Sequence, residues 1–457
     1  MLRVINNSPE VKIPYKYSTR WAFLLVVALA ITNLIMLAGT VAFKLYFRHI
    51  NRNWEAGSAI KYWLVQFDLA RENALASWYS SLLLLLVACM SLVCFIVDRN
   101  EQKSRRGQIL AFGWLFFAVT FLLLSLDEAG SLHERLGMLA SLNPFGDYVP
   151  GWVDLFAIPI GIAAVFMAAF SWFHVGSNRL AMVFMFVGIF LLVTVPFQEK
   201  IEIALWHSAQ SRDLWQRPVL HILFEEGAEI FGILSLLVAI LLYFSSIVEQ
   251  SVNEAQPDRA ILFLRFRRAT GLIYIACVVA FFVLGNVAWM VLAPYLLKGD
   301  TGMPQNWFVG ALAFIAALIC FYLAAAIKQS RPLYLLLSLL LIFLSIYYGA
   351  NIQGWLWDGP RAVIRFMLNG SLPAAAFVIA LLLAWQKRFD RVSAGLVLWA
   401  LLLGLALGRG SLNNTYVGLL DFTAGILLFL LLIVNVYQYQ VAIQARVPTS
   451  SSIGSLE

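Results

Sequence analysis

The sequence predicts an all-α, polytopic transmembrane helical bundle of about twelve spans, with both termini in the cytoplasm. Hydrophobic residues make up 61% of the chain, and charged residues only 12%. A soluble domain typically carries about 25% charged residues. So few charges cannot cover a water-exposed surface, and we therefore expect lipid to cover much of this one.

Apolar runs long enough to cross a bilayer recur along the whole chain. A helical span needs about 20 apolar residues, whereas a membrane barrel would show short alternating segments. The runs here are long and continuous, which favours helices. We predict spans near 21–46, 76–97, 108–126, 153–174, 179–197, 220–246, 270–295, 307–327, 332–350, 371–386, 393–408 and 416–438.

Lysine and arginine in the short connections set the predicted orientation. Cytoplasmic loops carry an excess of these residues. Clusters occur at 3–20, 99–106 and 259–268, and nearly every short connection on the other side carries fewer of these residues; a long connection with five of them, at 44–71, is the exception. This alternation predicts cytoplasmic termini and a multi-pass protein of the cell (inner) membrane. It also explains the net charge of +7 without a nucleic-acid partner.

The central basic connection divides the predicted spans six and six. We expect an N-terminal six-helix half at 1–246, a basic cytoplasmic linker at 247–269 and a C-terminal six-helix half at 270–457. The four cysteines fall inside apolar runs without CxxC spacing, so neither a disulfide framework nor a cysteine zinc site is predicted.

Carboxylates and histidines gather at the predicted extracytoplasmic ends of spans three, five and six. Span three ends in a run with four such residues, and span five ends with Glu199 and Glu202. In span six an imidazole and two carboxylates recur every four residues, which places them on one helical face. The members in spans three and six are Asp127, Glu128, His133, Glu134, His221, Glu225 and Glu229.

Helix dipoles explain some of these residues and not others. Glu225 and Glu226 begin a helix, where the dipole favours negative charge. The same dipole disfavours the carboxylates at the C-terminal ends of spans three and five. Local cations are few, so shared protons, distant arginines or a bound cation must balance the charge. Intramembrane ionisable groups are functional candidates.

Two kinds of chemistry suit this cluster. Carboxylate and imidazole together are ligands for Zn, Mn or Fe(II), and the candidate metal ligands are Asp127, Glu134, His221, Glu225 and Glu229. Without metal, the same groups could act as general acid and base or as a proton relay. The candidate catalytic residues are Asp127, Glu128, His133 and Glu134.

A polar segment before span two adds candidate substrate contacts. It contains Asp68 and Glu72 and is followed by Trp78. We place Glu199 and Glu202 in the same substrate-binding group. The remaining histidines have simpler interpretations: His207 as an interfacial loop residue, and His49 and His174 as ordinary residues near membrane boundaries.

The quoted residues resemble a family of uncharacterised bacterial multi-pass membrane proteins. The resemblance rests on FDLxxE followed by WYSS, on SLDExxxxHE and on EExxE, and it covers about residues 60–245. No activity is established for that family, so the resemblance supports the existence of a site without assigning it a reaction.

Three functions stay open at this stage, and the enzyme class is undecided. One is a metal-dependent hydrolase or transferase that acts at the outer leaflet on a lipid or lipid-linked substrate. Another is a proton- or cation-coupled transporter, which would place polar residues near the bilayer midplane. The third is a non-catalytic assembly subunit.

Overall fold

The computed structural model describes fourteen segments of the chain, and every structural statement below refers to them. They are residues 14–15, 19–49, 64–71, 74–101, 105–130, 132–133, 152–208, 218–254, 262–263, 278–288, 303–352, 361–387, 390–408 and 414–444. The chain forms two compact units. We call Tyr17–Asp258 the first unit, and Met1–Lys16 together with Arg259–Glu457 the second unit. The division into functional halves with a basic linker stays a prediction.

The first unit is built from helices. In chain order they are α1 (Thr19–His49), α2 (Leu75–Glu101), α3 (Arg105–Leu110), α4 (Phe112–Gly130), α5 (Trp152–Phe170), α6 (Arg179–Ser208) and α7 (Val219–Glu254). A π-helical turn at Ser171–Val175 follows α5.

The second unit is also helical. Its helices are α8 (Val278–Ala288), α9 (Met303–Ala326), α10 (Arg331–Gly349), α11 (Arg361–Gln386), α12 (Arg391–Gly408) and α13 (Asn414–Gln444). Within the described segments, the one strand pairing joins β1 (Pro14–Tyr15) antiparallel to β2 (Leu262–Phe263).

Ten helices in the described residues are long and apolar enough to cross a membrane. Two shorter apolar helices, Val278–Ala288 and Val392–Leu407, fall on the predicted spans 270–295 and 393–408. The exact number of crossings and the side on which the termini lie stay predictions. The prediction of an all-helical, multi-pass membrane protein is confirmed at this level.

Large apolar side chains lie on the outside of both units. Ile158 is 75% exposed, Phe173 is 73% exposed and Trp385 is 75% exposed. Patches of this kind mark contact with lipid or with other proteins, because water would solvate them poorly. Ten apolar helices with such outer faces associate with a lipid bilayer.

In the first unit, α2 packs along α4, α6 packs along α7, and α7 also contacts α1 and α2. Ser81 and Ser125 bring α2 and α4 close together, because each hydroxyl reaches the other residue's carbonyl oxygen, at 2.7 and 2.8 Å. Deeper in the unit, Asn33 donates to Ile230 O at 3.0 Å and accepts from the Tyr79 hydroxyl at 2.6 Å. These side-chain bonds tie α1 and α2 to α7.

The contact between α6 and α7 depends on two glycines. A Cβ atom at Gly188 would lie 2.8 Å from the carbonyl oxygen of Gly232 and 2.6 Å from Leu236 Cγ. Such small residues allow membrane helices to approach each other closely. The α6–α7 interface therefore has no room for a methyl group at this position.

We expect Gly188→Ala to lower the free energy of unfolding by about 1–3 kcal/mol, because overpacking forces the helix backbones apart. Thermal unfolding in detergent would measure the loss. Gly161→Ala is the matched control, since nothing lies within 4 Å of a Cβ atom at Gly161. A Gly188→Ala variant as stable as the control would contradict the close packing.

In the second unit, α9 packs along α10, α11 packs along α12, and α13 contacts α9 and α12. A series of side-chain hydrogen bonds begins just after α11. Lys387 donates to Asn435 Oδ1 at 2.8 Å, and Asn435 donates to the Tyr334 hydroxyl at 2.7 Å. Burial lowers the pKa of Lys387 from its ordinary value. These hydrogen bonds join α10 and α13 to the segment after α11.

Candidate functional site

One end of the first unit gathers the start of α2, the end of α4 and the start of α7. We call it the acidic end, and it is the end that the sequence predicts to be extracytoplasmic. The reciprocal bonds of Ser81 and Ser125 set the register of α2 against α4. Glu128 lies three residues, close to one helical turn, after Ser125, and that register brings it against Ser80.

Glu128 and Glu229 meet at the acidic end. Their carboxyl groups lie within reach of each other, which brings the end of α4 against the start of α7. Two ionised carboxylates have only acceptor atoms, so a hydrogen bond between these two groups would need a proton on one of them. The Ser80 hydroxyl donates to Glu128 Oε1 at 2.5 Å and adds α2 to the pair. We call Glu128 and Glu229 the carboxyl pair.

Further charged groups surround the carboxyl pair. Asp127 and His133 act electrostatically on Glu128, and Glu225 and Glu226 act on Glu229. Three of these four groups are carboxyls on two helices, so ionisation of the pair would add to existing negative charge. A site of this composition attracts a proton or a cation.

Asp127 and His133 form a second pair beside the first. The His133 backbone N–H donates to Asp127 Oδ1 at 2.8 Å, and His133 Nδ1 lies 2.8 Å from Asp127 Oδ2. Asp127 thereby binds the segment that follows α4. Both side chains are about a quarter exposed, at 26% and 27%, so water reaches them. The imidazole is therefore placed to exchange protons with solvent.

The predicted metal ligands are only partly described. His221, Glu225 and Glu229 lie on α7 at the predicted four-residue spacing, and Asp127 lies on α4. Glu134 lies outside the described residues. Within the part of the chain that the structure describes, no group of three or more His, Cys, Asp or Glu could hold a metal ion. A bound metal stays a prediction.

Two of the predicted substrate contacts lie inside the fold. Asp68 is 2% exposed and pairs with Lys44 Nζ at 2.9 Å, while Trp78 is 1% exposed. Asp68 Oδ1 and Trp78 Nε1 have no hydrogen-bond partner in the described part of the chain. Thr40 holds the same segment, because its hydroxyl donates to Phe67 O at 2.9 Å and accepts from Leu69 N at 3.1 Å.

The other predicted substrate contacts are at or beyond the edge of the described structure. Glu199 lies partly buried on α6. Glu202 and His207 belong to the same helix, but their side chains lie outside the description, as does all of Glu72. Whether any of them meets a substrate stays a prediction.

Sequence reasoning missed two buried carboxylates in other parts of the chain. Asp98 and His174 meet at the opposite end of the first unit, although His174 had an ordinary interpretation. In the second unit, Asp421 accepts from the Tyr348 hydroxyl at 3.0 Å beside a cavity of about 20 Å³. A cavity of this size holds about one water molecule. The position of Asp421 at the start of a span was the available signal.

Comparison with known proteins gives one match. Residues 22–244 match the family described as a domain of unknown function (DUF8692), which covers nearly all of the first unit and includes the carboxyl pair. No curated protein and no solved structure matches the chain.

Proposed function

We propose that this integral membrane protein is a proton-coupled transporter in which the carboxyl pair binds the proton. The observation that carries the proposal is the close approach of the Glu128 and Glu229 carboxyl groups between α4 and α7, where a hydrogen bond would need a proton on one of them. Of the functions left open by the sequence, this one uses the pair most directly.

The pair makes helix packing depend on the proton. With the proton present, the carboxyl groups attract each other and hold the ends of α4 and α7 together. Without it, two carboxylates face each other, and their repulsion at about 4 Å is on the order of 4 kcal/mol near a protein surface. Proton release therefore favours separation of α4 from α7 at the acidic end.

A transporter requires this kind of coupling. A ligand shifts a conformational equilibrium only by its difference in affinity for the two states. The proton has such a difference in affinity here. It binds between two carboxyls when the ends of α4 and α7 are together, and it does not when they separate. The water-accessible Asp127–His133 pair offers a route by which the proton reaches the extracytoplasmic solution.

Cysteine accessibility at the acidic end tests this proposal. A side chain at Gly227 on α7 would contact only Leu37 Cδ1, at 3.9 Å, so cysteine fits there. In a background without the four native cysteines, we expect a membrane-impermeant maleimide to label Gly227→Cys at least about tenfold faster when the pair is ionised, the response to a free-energy change of about 1.4 kcal/mol. Glu128→Gln or Glu229→Gln should abolish this pH response.

Two controls separate opening of the site from other effects. Leu220→Cys, at a position that is 61% exposed on the same helix, corrects for the greater reactivity of thiols at high pH. Glu199→Gln removes a carboxylate from α6 and should leave the response intact. A corrected labelling rate that does not depend on pH, or that keeps its pH response in both pair variants, would refute the proposal.

A metal-dependent hydrolase or transferase acting on a lipid or lipid-linked substrate is the second candidate. It is favoured by the Asp127–His133 pair, since a carboxylate that orients an imidazole is a common arrangement around metal ions. Elemental analysis of purified protein distinguishes it. Stoichiometric Zn, Mn or Fe that is lost in Glu225→Ala and Glu229→Ala would favour this candidate over transport.

A further inference from the structure

A buried polar network lies at the end of the first unit opposite to the acidic end. Asp98 on α2 is 1% exposed, and its Oδ2 atom has three neighbours with hydrogens to donate. Trp114 Nε1 lies at 2.9 Å, His174 Nε2 at 2.6 Å and the Tyr243 hydroxyl at 2.9 Å. The network joins α2, α4 and α7 to the π-helical turn after α5.

The π-helical turn gives His174 its position. Its first residue, Ser171, donates to Met167 O at 2.6 Å, and the extra residue in the turn changes the direction of the side chains that follow. Turns of this kind occur frequently at functional sites. The His174 side chain is only 6% exposed, although it lies on a helix with an apolar outer face.

Hydrogen-bond chemistry constrains one ring nitrogen of His174. Trp114 Nε1 can only donate, so Asp98 Oδ2 is an acceptor. When Asp98 is ionised, His174 Nε2 donates to the same oxygen at 2.6 Å, and the Tyr243 hydroxyl lies 3.0 Å from that nitrogen. The charge of the imidazole depends on whether Nδ1 also binds a proton.

The surroundings of the ring suit a cation. Phe170 stacks on His174 with ring centres 5.0 Å apart, and the ring of Tyr243 lies at 5.7 Å. Aromatic faces attract a cation, and this attraction increases when water is excluded. Asp98 and these two rings therefore surround the imidazole.

The other titratable groups near the network are few. Tyr243 belongs to it, and the buried thiol of Cys94 acts electrostatically on both Asp98 and Tyr243. The residue after Asp98 is Arg99, whose guanidinium lies over the rings of Phe95 and Phe112, at 5.8 and 5.4 Å. His174 is therefore the basic side chain in direct contact with Asp98 in the described part of the first unit.

We propose that Asp98 and His174 form a second proton-binding site, at the other end of the same helices that carry the carboxyl pair. The proton adds to His174 Nδ1 from water, and no other bond breaks. Ser80 and Asp98 are separated by about 27 Å along α2 at 1.5 Å per residue, close to the thickness of a bilayer core. The bundle of α2, α4 and α7 then has a proton-binding site near each end, the carboxyl pair at one and Asp98 with His174 at the other.

This inference deepens the proposed transport function and rests on it for its meaning. A proton-coupled transporter must bind and release the proton on both sides of the membrane. The carboxyl pair supplies such a group at the acidic end, and Asp98 with His174 supplies one at the opposite end.

Nitrogen NMR of the full-length protein in lipid bilayers tests the second site. With ¹⁵N-labelled histidine, the five imidazoles are followed as pH falls, and the His174 signal is identified by its absence in His174→Gln. We expect that signal to change from the neutral form protonated at Nε2 to the doubly protonated form. Asp98→Asn, which keeps an acceptor oxygen but removes the charge, should reduce the doubly protonated fraction.

The outcomes are separable from those of the accessibility experiment. A His174 signal that stays neutral, or stays charged, at every pH at which the protein remains folded would overturn the second site and leave a structural network. Titration of His174 without pH-dependent labelling at Gly227→Cys would support the site and refute the transport cycle. Glu128→Gln is the matched control, since His174 should still titrate in it.

Discussion

Replacing Lys44 with methionine is expected to lower the free energy of unfolding of the first unit by about 3–5 kcal/mol. The substitution keeps the length of the side chain but removes the ammonium group that pairs with Asp68 at 2.9 Å. Because Asp68 is buried, its carboxylate would stay in the fold without a charged partner. Chemical unfolding in detergent, compared with the parent, would measure the change.

The double variant Lys44→Met with Asp68→Asn tests whether the unpaired charge of Asp68 causes the loss of stability. Neutral asparagine removes the unpaired charge, so most of the lost stability should return even though the ion pair is absent. Equal loss in the single and double variants would show that the methionine disturbs packing. No loss in the single variant would contradict the buried ion pair itself.

Replacing Asp98 with leucine is expected to have an effect of similar or greater size. It leaves the donors of Trp114, His174 and Tyr243 buried without their acceptor, and each such group costs about 1–3 kcal/mol. We expect little folded protein to accumulate, measured as the yield of monodisperse protein and its unfolding temperature.

Two less disruptive substitutions test whether the loss of stability in Asp98→Leu comes from the hydrogen bonds to Asp98. Trp114→Phe removes one donor, worth about 1 kcal/mol, and also shortens a fully buried side chain, so we expect a loss above that value but below that of Asp98→Leu. Asp98→Asn retains an acceptor oxygen and should fall between leucine and the parent. An Asp98→Leu variant with parental stability would mean that the network does not hold these helices together.

Hydrophobic runs predicted the helices well, because bilayer-spanning length is a local property of the sequence. Each predicted span falls on an apolar helix, although the seventh and eleventh fall on short ones. Helical spacing also predicted correctly that His221, Glu225 and Glu229 lie along one helix. These results needed no knowledge of contacts between distant segments.

Partners of polar side chains could not be predicted in the same way. Glu128 and Glu229 were recognised as members of a cluster, but their hydrogen bond depends on how α4 lies against α7. Asp68 was predicted to meet substrate, whereas Lys44 from α1 pairs with it inside the fold. His174 was overlooked because a π-helical turn, which has no clear sequence signal, directs it towards Asp98.

Infrared spectroscopy of the protonated carboxyl C=O stretch tests the shared proton most directly. We predict one band from the carboxyl pair in the parent protein, shifted or lost in Glu128→Gln and equally in Glu229→Gln, because both groups share one hydrogen bond. Asp421→Asn, which changes a buried carboxyl of the second unit, should leave that band unchanged. Absence of the band, or a band altered by only one of the two glutamine variants, would contradict a proton shared between Glu128 and Glu229.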